Sequence, residues 1–145
     1  MKRKCRALAL TVCLLAAVSA VPWGATAAVK YSKIASFKDV GQSRVFFISI
    51  DEKVPADQLE PKLWEIVNYH MDTYGQAPQM WMYFFDNKKL APKDFPIQGD
   101  ALDHLIATYF YATDNRTKEL KVLKGEDVKQ LKSKGKIDSP LWQGQ

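Results

Sequence analysis

The chain changes its hydrophobic period several times, and each change marks an element. Residues 44–50, RVFFISI, form a short, nearly continuous run of β-branched and aromatic side chains, the texture of a buried strand. KYSKIASF (30–37) precedes it as a first strand, and DVGQS (39–43) supplies a turn around Gly41. The period then becomes helical. Leu59, Leu63, Ile66, Val67, His70 and Tyr74 fall within an arc of about 100° at helical spacing, flanked by Trp64 and Met71. Asp57 with Glu60 has the shape of a capping box, Pro61 sits in the expected first turn, and Gly75 followed by Pro78 ends the run. A helix is therefore expected over about 56–74.

Strand texture returns after Pro78. QMWMYFFD (79–86), HLIATYFYAT (104–113) and KELKVLK (118–124) read as strands, and EDVKQLKSKG (126–135) as a short amphipathic helix on Val128 and Leu131. Residues 86–103 read as a long irregular connection. Residues 139–145 read as a loose tail, with Leu141 and Trp142 available as anchors. The order β-β-α-β-β-β-α predicts a single α+β domain over 28–138. Its sheet would be antiparallel-rich, with four to five strands, the long helix on one face and a short C-terminal helix. The strand-helix-strand crossover is expected to be right-handed if its strands are parallel.

The segments PADQLEPKLWEIVNYH, MWMYFFD and ATYFYATD together resemble small exported bacterial domains of unknown function. In these a hairpin precedes one helix, and a strand rich in aromatics and ending in Asp follows it. The resemblance covers about residues 30–124 and rests on element order and strand texture. It implies a strand-strand-helix-strand-strand core and brings no catalytic residue with it.

Composition changes the picture at the N-terminus. MKRKCR is a basic opening, ALALTVCLLAAVSAV an apolar run of 15 residues, and ATA a small-x-small cleavage pattern. These predict a signal peptide over 1–27, cut near Ala27, with a cut after Ala20 as the alternative. The apolar run is shorter than the roughly 20 residues that span a bilayer, so no stable transmembrane segment is expected in the mature chain. The expected location is secreted, periplasmic or otherwise in the cell envelope. Lipidation at Cys13 is disfavoured by Val12, where a small residue is wanted.

Removing the leader also resets the charge. The whole chain has 21 Lys and Arg against 16 Asp and Glu, and Lys2, Arg3, Lys4 and Arg6 leave with the leader. The remainder is nearly neutral, which removes the whole-chain argument for nucleic-acid binding. Cys5 and Cys13 leave as well, so the mature protein is expected to have no disulfide, thiol nucleophile or cysteine metal ligand. A basic stretch remains: residues 116–136 hold eight basic groups against Glu119, Glu126 and Asp127. Such a face suits an anionic surface, or simply solvation of an edge strand and the last helix.

Candidate chemistry is sparse. His70 falls in the helix's apolar arc, where a hydrogen-bonded core histidine is the plainer reading than a titrating ligand. His104 follows Asp100 and Asp103, and a small envelope hydrolase using these three groups is one alternative. Neither a metal nor a cofactor is expected, because no diagnostic ligand spacing or phosphate-binding glycine loop occurs.

The aromatic strands carry the main expectation. Alternation puts Met80, Met82 and Phe84 on one side of residues 79–86, assigned to the helix-covered core, and Trp81, Tyr83 and Phe85 on the other. In residues 104–113, Ile106 and Phe110 share one side and Tyr109 and Tyr111 the other. Placing Trp81, Tyr83, Phe85, Tyr109 and Tyr111 on one far face gives an aromatic surface too apolar to stand bare in water. Three occupants compete: the chain's own 87–103 and C-terminal segments, a second copy in a homodimer, or a ligand such as an envelope protein, a glycan or a peptide. The leading expectation is a non-catalytic binding protein that uses this face.

Overall fold

The computed structural model describes residues 28–142. The signal peptide reading lies outside these residues, as does the end of the tail at 143–145. The fold is α+β. A five-stranded mixed sheet has the order β1 (Tyr31–Lys38), β2 (Arg44–Ile50), β3 (Gln79–Phe85), β5 (Leu105–Ala112), β6 (Thr117–Val122). Only β2 and β3 run parallel, joined by the helix α1 (Ala56–Tyr74); the other neighbours are antiparallel. The connection after β3 is less irregular than expected. It holds the short strand β4 (Ile97–Gln98) and the single turn α2 (Asp100–Asp103). After α3 (Gly125–Ser133), the strand β7 (Lys136–Ile137) pairs with β4, and a 3₁₀ turn follows at Pro140–Trp142.

α1 forms where the helical period predicts, and it buries Leu63, Ile66, Val67 and His70 against the sheet. Its ends differ from expectation. The N-cap is Pro55, and no side chain caps the helix, so Asp57 and Glu60 form no capping box. Because the helix begins at Ala56, Pro61 lies in its second turn. There its ring removes an N–H that would bond back to the Asp57 carbonyl. The reciprocal contact occurs on α3 instead, where the Lys124 N–H donates to Asp127 Oδ2 at 2.9 Å. Gly75 has φ −63°, so the left-handed region is not what selects it. A Cβ at this position would meet the Met71 carbonyl oxygen at 2.5 Å.

Two cores result. The first lies between α1 and the sheet and contains Phe46, Ile48, Met80, Met82, Phe84, Leu63, Ile66 and Val67. The second lies on the opposite face and contains Val45, Phe47, Tyr83, Phe85, Ala91, Ile97, Leu102 and Leu105. It is closed by the 87–103 connection together with Leu123, Leu131, Ile137 and Leu141 from the C-terminal segment. Phe95 seals its edge, with ring centroids 4.8 Å from Phe47 and 5.8 Å from Tyr83. Burying each such side chain contributes roughly 1.5–3 kcal/mol, so the second face is a structural core in its own right. Leu141 is the tail anchor that the sequence offered.

The strand phase needs one correction. Tyr109 pairs with Met82 and Tyr111 with Met80, so both tyrosines face α1 rather than the far side. Trp64 meets the Tyr109 ring at 5.9 Å. A register shift between Phe84 and Phe85 explains part of the discrepancy. The shift makes Ile106 the extra residue on β5. It packs with the α1 core beside Ala107, while Leu105 and Phe110 lie on the other face. A bulge of this kind moves side chains across a sheet without changing strand texture.

Candidate functional site

The five aromatic residues picked out by the strand pattern do not form one surface. Trp81, Tyr83 and Phe85 lie on the second face, and Tyr109 and Tyr111 on the first. Phe85 and Tyr109 are fully enclosed, and Tyr83 retains 8% exposure. Burial pushes the Tyr83 hydroxyl up to about 12, so the phenol stays neutral at physiological pH. Of the second-face three, Trp81 is the partly open one. Its neighbour there is Phe110, which the aromatic reading had placed on the other side. The two rings sit across the β3–β5 pair with centroids 5.4 Å apart and planes tilted by 35°.

Trp81, Tyr83 and Phe110 line a groove of about 630 Å³ between the sheet and the C-terminal segment. Thr108 continues the floor, opposite Tyr83, while Leu123, Leu131, Ile137 and Pro140 line it from the C-terminal side. The rim is charged but balanced, with Glu119, Asp127 and Asp138 against Lys121, Lys134 and Lys136. Lys121 meets Asp127 at 2.7 Å and Lys136 meets Asp138 at 2.9 Å. The hydrogen bond from Lys121, followed by that from the Lys124 backbone, holds the Asp127 carboxyl below its ordinary range. Glu119 and Lys134 join no ion pair among the described residues.

A larger cleft of about 900 Å³ opens at the carboxyl ends of β2 and β3. Ile50, Val54, Leu59 and Ile106 make an aliphatic floor under a charged rim. Several of the rim groups are engaged. Ser32 donates to Asp51, Lys88 donates to Ser32 at 2.8 Å, and Glu52 faces Lys62 at 3.5 Å. These contacts clasp the ends of β1, β2 and the 87–103 connection.

The histidine constellation also assembles differently from expectation. His104 Nδ1 lies 2.7 Å from Asp86 Oδ1, and the Asp86 N–H donates to the His104 carbonyl at 3.0 Å. Asp103 is instead an ion-pair partner of Lys132, and Asp100 is exposed in the first turn of α2. His104, Asp100 and Asp103 therefore do not converge on a common point. Among the described residues no cluster of three His, Cys, Asp or Glu is placed to hold a metal ion. None of their helices is long and apolar enough to cross a membrane. Half of the basic stretch is paired: Lys121, Lys129, Lys132 and Lys136, four of its eight cations, each face a carboxylate.

Of the residues that line the groove, the strand pattern singles out Trp81 and Tyr83 but not Phe110 or Ile137. Leu131 was visible as the apolar stripe of a short helix. The face that Phe110 occupies depends on the β3–β5 register, which alternation within β5 does not supply. No protein-family model, curated protein or solved structure shows significant similarity to this chain.

Proposed function

We propose that this chain is a non-catalytic binding protein, exported to the cell envelope, whose ligand lies in the groove between the second sheet face and the C-terminal segment. One observation carries the reading: the open Trp81–Phe110 floor inside a concave, polar-rimmed site. The volume falls within the roughly 300–1,000 Å³ range of ligand clefts, and such sites combine apolar walls with a few placed polar groups. Tryptophan offers a broad flat surface with little side-chain entropy to lose. The motive for a second copy on this face is weaker, because the chain's own segments cover Tyr83, Phe85 and Phe47.

The test is a fragment screen followed by protein-observed NMR. Hits are expected to move the Trp81 indole and Phe110 signals, and to be lost in Trp81→Ala while its spectrum stays folded. Hits that gather instead in the Ile50–Leu59–Ile106 cleft would refute the assignment.

A further inference from the structure

We infer that the groove's ligand is a neutral, hydroxyl-rich carbohydrate chain; this rests on the groove being the binding site. Three observations select that chemistry. The first is the floor. Trp81 and Phe110 present two tilted aromatic surfaces on adjacent strands, a shape that suits the C–H faces of consecutive pyranose rings better than a single planar aromatic ligand. The second is the rim. Its three lysines and three carboxylates balance, and two of its pairs are already formed, so it lacks the one-signed field that would collect a polyanion or polycation. It supplies instead an alternation of donors and acceptors, which hydroxyl groups satisfy in either role.

The third observation concerns the backbone and argues against an extended peptide. Peptides that bind by strand addition take main-chain hydrogen bonds from a free sheet edge. β3 lies between β2 and β5, and β5 between β3 and β6. Both floor strands therefore have neighbours on either side, so the floor offers side chains rather than an unpaired ladder; the free sheet edge beside them belongs to β6, which contributes only Glu119 and Lys121 to the rim. A purely apolar ligand would leave six charged rim groups facing hydrocarbon, which is unfavourable.

The experiment titrates the purified protein with four probes, followed by NMR: a neutral hexose tetramer, a neutral N-acetylhexosamine tetramer, a uronate tetramer and tetra-alanine. At least one neutral oligomer is expected to move the Trp81 indole and Phe110 signals. Its affinity should fall at least about tenfold in Trp81→Ala and stay within about threefold in Trp81→Phe. That affinity should also change by less than about twofold between about 0.05 and 0.5 M salt, since the ligand carries no charge to screen. Movement of the groove signals by the uronate or the peptide alone overturns the carbohydrate assignment but leaves the groove as the site. Movement by none of the four overturns the carbohydrate assignment, and the fragment screen then decides the groove independently.

Discussion

His70 is the buried imidazole of the first core, 3% exposed, between the rings of Phe46 and Tyr31. Its Nδ1 lies 2.9 Å from the Ile66 carbonyl oxygen, so Nδ1 carries a proton and donates it to that carbonyl. Burial lowers its pKa below 6.5, and nearby Lys33 adds to this against the opposing hydrogen bond. The unfolded chain therefore takes up this proton first as pH falls. The stability contributed by neutral His70 is complete above about pH 6.5 and is lost as pH drops toward the folded value. Denaturant unfolding at about pH 7 and pH 5 should show a larger acid loss in the wild type than in His70→Phe. Equal losses would show that the ring does not resist protonation. The bland reading of His70 as a core histidine is the one that the geometry supports.

The two ends of α1 respond in opposite directions. Pro61 is exposed and sits where the helix lacks a backbone hydrogen bond. Pro61→Ala should raise stability by about 1–3 kcal/mol, read as a higher denaturation midpoint at unchanged m-value. Gly75 ends the helix with its N–H on the Met71 carbonyl at 2.7 Å and no room for a Cβ. Gly75→Ala should cost roughly 1–3 kcal/mol. The helix body was legible because six apolar side chains on one arc admit few other conformations. The caps were less so, since Asp57 and Glu60 have the right spacing but the N-cap falls two residues earlier, at Pro55.

At the scale of the molecule, the question is what closes the second face. Residues 87–103 read as an irregular connection, yet Ile97 is fully buried and pairs with Ile137 of β7. Ile97→Ala should therefore cost about 2–5 kcal/mol, as a core truncation does. A surface connection would lose almost nothing, and global unfolding by calorimetry distinguishes the two. The ion pair of Lys132 with Asp103 ties the same two segments together at their exposed rim.

The sequence by itself determined the α+β class, the position of α1, the five main strands, and the split of β3 into Met80, Met82 and Phe84 against Trp81, Tyr83 and Phe85. Each follows from a local period of 2 or 3.6, which residues close in sequence impose on one another. Only the tertiary structure decided the β3–β5 register, the bulge at Ile106, the β4–β7 pairing and hence the groove. A shift of one residue sends every side chain of a strand to the other face, and nothing within β5 states its phase relative to β3. That is why Tyr109 and Tyr111 lie beneath the helix, and why Phe110 shares the groove floor with Trp81.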